Sequence, residues 1–361
     1  MRILTSVFLL FTLIFNSGCV RVPGDGSGTN IGDPDLNPWT QVENLATTQA
    51  ILNTFAVSDA LFLVTGDEFI RINSDDVILE KRGLQGTFTN IYKPALSANT
   101  FVRASQSGGQ DFIEFHLTKN PNDFRKIAIN DLSDVPGEIV ELVSDSKEIG
   151  AFNFDGLKFL IATKTKPNFH HTFFEFQLTL DPATLNITGL THRRLCDIPD
   201  IPADFDQIGS MAFINNYWYI TSKVGAFKVD RDGNVDKIQS GWYQDVFRRN
   251  GKIYLTAFER FDMRISDDNG ETWERTPTAS DLQFVTVAGE TLISQTAIGI
   301  LPQTPENLAD IFTLKDLRMN RIMLGTDFVG SFNAFDFFNN KYYFAIGKEL
   351  YSSEEVFIEE E

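Results

Sequence analysis

Seven segments of this chain repeat one short pattern: a turn dipeptide, two further residues, then a fifth position leading into an apolar strand. They read Ser58-Asp59-Ala60-Leu61-Phe62, Ser97-Ala98-Asn99-Thr100-Phe101, Asp155-Gly156-Leu157-Lys158-Phe159, Asn215-Asn216-Tyr217-Trp218-Tyr219, Asn250-Gly251-Lys252-Ile253-Tyr254, Ala288-Gly289-Glu290-Thr291-Leu292 and Asn339-Asn340-Lys341-Tyr342-Tyr343. The fifth position is aromatic in six of the seven, and the starts lie 39, 58, 60, 35, 38 and 51 residues apart. Asn-Gly, Asp-Gly and Asn-Asn favour the positive φ values of two-residue hairpins, and each is flanked by apolar or aromatic residues. A chain that repeats hairpins at this period must stack them, because one hairpin cannot bury its own apolar face.

Each repeat continues into another strand slot. Phe69-Ile70-Arg71-Ile72, Asp111 to Leu117, Phe173 to Leu180, Ala226 to Val229 and Met263-Arg264-Ile265 fill it. In the third of these, Phe174, Phe176, Leu178 and Leu180 fall on one face at period two, opposite Glu175, Gln177 and Thr179. Short strands repeating every 40 to 50 residues or so are the signature of propeller blades. The fold expected is therefore all-β, a single β-propeller of seven four-stranded blades over residues 42–361. An N-terminal strand near Val42 to Ala46 is expected to close the ring against the blade ending in Val356-Phe357-Ile358. Longer stretches follow the repeats near Ala98 and Asp155, and Pro302 to Asp316 interrupts the sixth. In that interruption Pro305 to Asp310 reads as a single helical turn.

One turn carries more detail. Ser266-Asp267-Asp268-Asn269-Gly270-Glu271-Thr272-Trp273 fits S-x-D-x-G-x-T-W at every specified position. Gly270 supplies the positive φ of a tight turn. Asp268 accepts from turn amides, Ser266 and Thr272 add hydroxyls, and Trp273 opens the return strand with a large apolar face to bury. The segment resembles the Asp-box (BNR repeat) of sialidase-type β-propellers. That resemblance implies the propeller fold and a structural role for Ser266, Asp268, Gly270, Thr272 and Trp273, not a catalytic one. Asp230-Arg231-Asp232-Gly233-Asn234 and Leu350-Tyr351-Ser352-Ser353-Glu354 read as decayed copies of the same turn. A calcium loop is the alternative for the first, but Gly241 falls where such a loop needs its twelfth-position Glu.

The N-terminus reads as an export signal. Met1-Arg2 is followed by an apolar run from Ile3 to Phe15 and then by Asn16-Ser17-Gly18-Cys19. The run is too short to span a bilayer and ends on small residues, as a signal peptide over residues 1–18 does. Ser17-Gly18-Cys19 resembles the bacterial lipobox. The resemblance implies a diacylglyceryl group on Cys19, and Val20 in place of Asp points to the outer membrane in that family. An ordinary secretory signal cut near Gly18 is the alternative. Residues 19–41 hold Gly24, Gly26, Ser27, Gly28, Gly32, Pro34 and Pro38, a composition that reads as a flexible tether. With Cys19 lipidated, Cys196 is left alone, a small buried hydrophobe and not half of a disulfide.

The chemistry of a site is thinly marked. The sialidase resemblance implies three arginines, a tyrosine–glutamate pair and an aspartate; the nearest string to its Phe-Arg-Ile-Pro motif, Phe69-Ile70-Arg71-Ile72-Asn73, inserts a residue and lacks the proline. His170-His171 reads as a solvated hairpin tip, and His116, in phase with Glu114, as part of a polar strand face. No catalytic residue, metal site or cofactor is expected. The chain carries 31 basic and 49 acidic residues, a net of -18, so nucleic acid and anionic headgroups are excluded as partners by repulsion. The function expected is that of a membrane-anchored envelope module binding a protein or a glycan. A surface glycoside hydrolase of sialidase type is the alternative.

Overall fold

The computed structural model describes residues 39–56, 59–84, 87–88, 95–96, 100–118, 123–128, 131, 148–155, 158–165, 170–184, 186–202, 208–257, 262–277, 285–288, 291–294, 307–313, 318–325, 332–354 and 358–359. Their strands form a β-propeller of antiparallel sheets. Sheet 1 runs outward from Ile51–Ala56 through Leu61–Thr65 and Glu68–Ile72 to Ile78–Gly83. Sheet 2 starts from two short strands, Thr87–Phe88 and Ala95–Leu96, which both pair with Thr100–Ser107, and continues through Gln110–Leu117 to Phe124–Ala128. Sheet 3 comprises Glu148–Asp155, Lys158–Thr165, His170–Leu180 and Ile187–Pro202.

Sheet 4 holds Ile208–Ile214, Tyr217–Ser222, Gly225–Val229 and Val235–Ser240. Sheet 5 holds Tyr243–Arg249, Lys252–Ala257, Asp262–Ser266 and Glu274–Pro277. Sheet 6 holds Val285–Ala288, Thr291–Ser294, Asn307–Thr313 and Arg318–Gly325, with Ile358–Glu359 added outside. Sheet 7 holds Phe332–Phe338, Lys341–Ile346 and Glu349–Ser353, with Thr40–Gln41 added outside. The first strands of sheets 7, 1, 2, 3, 4 and 5 neighbour one another in that order, and those of sheets 6 and 7 also meet.

The repeat read from the sequence has a simple meaning here. Its fifth position falls on the second strand of every sheet, and Phe62, Phe159, Tyr219, Tyr254 and Tyr343 are buried, with Phe159, Tyr219 and Tyr343 in clusters shared with a neighbouring sheet. The paired Asn215 and Asn216, Asn250 and Gly251, and Asn339 and Asn340 all take the positive φ of tight two-residue hairpins. Sheets stacked on both sides bury both strand faces. Phe174, Phe176 and Leu178 thus pack against Val102, Ile113 and Phe115 of sheet 2, while Phe173 on the opposite face packs toward Trp218 of sheet 4.

Four expectations are corrected. The ring-closing strand is Thr40–Gln41 and not Val42 to Ala46; it pairs with Ser352 and Tyr351, while Ile358–Glu359 pairs with Ile322 and Arg321 of sheet 6. Val42 and Leu45 turn into the core between sheets 1 and 7, and of the stretch expected as tether Trp39 is buried and Thr40 and Gln41 are paired in sheet 7. The sheets are not uniformly four-stranded, since sheets 2 and 6 each have five strands. Asn307–Thr313 is a strand and not a helical turn, because it pairs along its length with Arg318–Gly325. Val356 and Phe357 lie outside the described residues.

Candidate functional site

The turn from Ser266 to Trp273 joins the third and fourth strands of sheet 5. Its polar residues converge on one carboxylate. Ser266 Oγ donates to Asp268 Oδ1 at 2.8 Å, and the Thr272 amide donates to the same oxygen at 2.9 Å. Thr272 Oγ1 reaches Asp268 Oδ2 at 2.5 Å. The Gly270 amide donates to Ser266 Oγ at 2.7 Å, and Trp273 Nε1 to the Gly270 carbonyl at 3.0 Å. Hydrogen bonds from the Thr272 hydroxyl, its amide and Ser266 hold the Asp268 carboxyl down at about 2, so it is ionised wherever the protein is folded at ordinary pH. Gly270 has φ +80°, and a Cβ there would stand 3.1 Å from the Tyr219 ring and 3.2 Å from that of Trp273. The expected burial of Trp273 is only partial: the ring is half-buried against the sheet 4–5 core.

What the turn does is dock on its neighbour. Tyr219 Oη, from the second strand of sheet 4, donates to the Asn269 carbonyl at 2.6 Å. Lys228, which lies opposite Tyr219 in the ladder, reaches Glu271 Oε1 at 2.6 Å with its ammonium over the Tyr217 ring. Asn215 Nδ2 completes the contact by donating to Asn269 Oδ1. Sequence reasoning found the turn but not its receptor.

The same arrangement recurs between sheets 1 and 7. In the turn after Glu68–Ile72, Asn73 Oδ1 accepts from the amides of Asp75 and Val77 at 3.0 and 2.9 Å. Asp76, at φ 61°, then projects onto sheet 7 and accepts from Tyr343 Oη at 2.7 Å, Ser352 Oγ at 3.0 Å and Lys341 Nζ at 3.2 Å. Tyr343 and Ser352 face each other in the ladder as Tyr219 and Lys228 do. The available signal was a tyrosine at the fifth position of three repeats, two of which, Tyr219 and Tyr343, receive a turn in this way.

Asp230-Arg231-Asp232-Gly233-Asn234 occupies the equivalent turn of sheet 4. Asp230 Oδ1 caps the amides of Asp232 and Asn234 at 2.9 Å each. Gly233, at φ +83°, lies so close to sheet 3 that a Cβ would stand 2.1 Å from the Leu195 carbonyl. The other expected copy is corrected: Leu350 to Ser353 lies within a strand, and there Ser352 serves as receptor for Asp76.

The polar strand face expected around His116 is a buried cluster. Arg103, fully buried, donates through Nε to Glu114 Oε2 at 2.7 Å and through a terminal nitrogen to the Gly66 carbonyl of sheet 1 at 3.1 Å. Ser105 Oγ donates to Glu114 Oε1 at 2.6 Å, and His116 Nε2 lies 3.0 Å from Glu114 Oε2 with its ring stacked on Phe124. Burial pushes the Glu114 carboxyl up, but the His116 bond, the Arg103 charge and Ser105 outweigh it and hold the group at about 2. The polar face points inward because sheet 1 covers it. A lone arginine between Val102 and Ala104 in a strand was the only sequence signal.

The remaining candidates fall in different places. Cys19 lies outside the described residues. Cys196 is buried, and burial, helped by Asp197, pushes its thiol up to about 12, which leaves it a packing residue at neutral pH. His171 is not at a solvated tip: it is fully buried in a strand, with Nδ1 3.4 Å from the Ile201 carbonyl. Arg71 is paired with Asp59 on a third strand. Tyr351 donates to Glu349, again on a third strand, and burial followed by that carboxylate pushes its phenol up to about 12. Both lie away from the first strands that line the axis, and the Tyr351 shift opposes nucleophilic use. Among the described residues no group of three or more His, Cys, Asp and Glu could hold a metal, and no helix is long and apolar enough to cross a membrane.

No family model matches the chain, and no curated protein sequence does. Solved structures do. The enzyme of glycoside hydrolase family GH74 from Niastella koreensis is similar over 88% of this chain and 54% of its own, at 10% identity and a TM-score of 0.54. PorZ, an essential bacterial surface component of the type-IX secretion system of Porphyromonas gingivalis, is similar over 90% of this chain and 39% of its own, at 12% identity and a TM-score of 0.50. This chain thus spans about half or less of the length of each. At these identities the likeness is one of fold.

Proposed function

We propose that this protein is a lipid-anchored β-propeller of the bacterial cell envelope, held at the outer membrane through Cys19, whose body binds a protein or glycan partner. The observation that carries this reading is the position of Thr40–Gln41. That strand is the outermost of sheet 7, so the chain enters the described body at the outer edge of a sheet and not at one of the first strands. Trp39, buried edge-on against Phe344 at 4.5 Å, fastens that entry point. PorZ is a bacterial surface component, which fits such a placement. In this reading the Ser266–Trp273 turn is an Asp-box that acts on stability, and the acidic surface excludes nucleic acid. The likeness to the GH74 enzyme supports glycoside hydrolysis as the second reading.

Replacing Cys19 with Ser tests the anchor. The native chain should enter the detergent phase and incorporate labelled fatty acid, and the variant should do neither; unchanged partitioning sinks the proposal. Incubating the released variant with fluorogenic sialosides and other glycosides tests the second reading. Turnover abolished by changing one arginine or tyrosine at the axial end, with the fold intact, establishes the hydrolase instead.

A further inference from the structure

We infer that residues 39–48 form a releasable strap, and that the ring opens at the seam between Thr40–Gln41 and Glu349–Ser353. A pull on the chain ahead of Trp39 then unlocks sheets 1 and 7 while the other sheets stay closed. Successive sheets elsewhere are joined by continuous chain that runs into the first strand of the next, from sheet 6 leaving Arg318–Gly325 inside the added Ile358–Glu359. Sheets 7 and 1 are joined that way only through Thr40–Gln41, whose hold on sheet 7 is non-covalent. The ladder there is two residues long, Thr40 opposite Ser352 and Gln41 opposite Tyr351.

Beyond that ladder the strap is stapled to both sheets. On sheet 7, the Val42 amide donates to the Leu350 carbonyl at 2.8 Å and Thr47 Oγ1 to the Lys348 carbonyl at 2.9 Å. On sheet 1, Thr48 Oγ1 donates to Asp67 Oδ2 at 2.6 Å, the Thr48 amide to Glu68 Oε2 at 3.2 Å and Lys81 Nζ to the Ala46 carbonyl. Val42 and Leu45 enter the core that the two sheets share. Beneath the strap the sheets touch directly, through the Ala56 amide on Asp336 Oδ2 at 2.8 Å and through Asp76 on Tyr343, Ser352 and Lys341. Four of the strap's hydrogen bonds, from Thr47, from the amide and hydroxyl of Thr48 and onto the Ala46 carbonyl, are exposed and of the kind that open at low free energy, and a two-residue strand can leave by peeling one pair at a time. The inference stands on the seam and does not depend on a lipid at Cys19.

Hydrogen exchange on the full chain reads the result. Trp39→Ala should speed exchange about tenfold or more in Phe332–Phe338, Lys341–Ile346 and Ile51–Ala56, with Tyr243–Arg249 and Lys252–Ala257 unchanged. Tyr219→Phe, at the sheet 4–5 junction, should produce no such local opening. A second variant covers the case in which Trp39→Ala does not fold. Thr40→Cys with Ser352→Cys places two thiols directly across an antiparallel pair, where a disulfide fits. In that variant oxidation should slow exchange in sheets 1 and 7 alone, and reductant should restore it. Equal acceleration in every sheet for Trp39→Ala, or an oxidised seam that exchanges as fast as the reduced one, overturns the inference.

Discussion

Asp268 and Tyr343 show how single side chains are used in this fold. Asp268 is held at about 2 against 3.8 for the free group, so its folded value is depressed. The stabilisation this represents is fully present above pH 4 or so and is lost as pH falls toward 2. Asp268→Ala should therefore melt below the native chain at pH 7, and the gap between the two should close through that acid range. A gap that stays constant down to pH 2 rules the carboxylate out as the cause. The two receptor tyrosines differ in their acceptors. Tyr219→Phe removes a bond to a carbonyl and should cost about 0.5–1.5 kcal/mol, while Tyr343→Phe removes one to a carboxylate and should cost roughly 1.5–3 kcal/mol. Urea denaturation of both gives the order, and a larger loss at Tyr219 would contradict it.

At the scale of elements, the recurring unit is a third-to-fourth turn seated on the sheet before it. Antiparallel alternation places that turn at the same end as the first-to-second turn, which is why Asn269 meets Asn215 and Arg231 meets Asn216. Gly233 shows how close the seating is. Gly233→Ala imposes a left-handed backbone on alanine and drives its Cβ into the Leu195 carbonyl, so it should lower the melting temperature and loosen Ile187–Pro202 in hydrogen exchange. An unaltered melt would mean that the turn moves freely. Sheets 1 and 2 are joined through a buried pair, Arg103 with Glu114, whose arginine also reaches the Gly66 carbonyl. Arg103→Met strands the Glu114 charge and should cost roughly 3–5 kcal/mol, whereas Arg103→Met with Glu114→Leu should recover much of that loss. Additive losses in chemical denaturation would show that the two groups are not coupled.

For the whole molecule, charge and closure decide behaviour. A net of -18 repels anionic surfaces, so the proposed anchoring rests on lipid at Cys19 and not on the charge of the body. The Cys19→Ser chain should show no affinity for vesicles rich in anionic lipid at low salt. Salt-sensitive binding to such vesicles would reveal a basic patch that the overall composition hides. Closure has a different character, since it depends on two residues at one end of the body and five near the other.

The repeat, the second-strand aromatics and the Ser266–Trp273 turn were legible because each is a local pattern. A hairpin at Asn215-Asn216 needs only its own φ values, and an aromatic at the fifth position is buried in any stack of such hairpins. The closing strand was not legible, since Thr40–Gln41 has no strand pattern of its own and is selected only by the edge that Glu349–Ser353 leaves open. His116 and His171 were misplaced for a related reason. Alternation distinguishes two faces of a strand, but a propeller covers both, so a polar face lies inside wherever the neighbouring sheet brings an Arg103 or a carbonyl to meet it. Lys228, Ser352 and Asp76 look like ordinary surface residues in sequence. Only the packing of one sheet on the next turned them into receptors and pins, because their partners lie 43, 276 and 267 residues away.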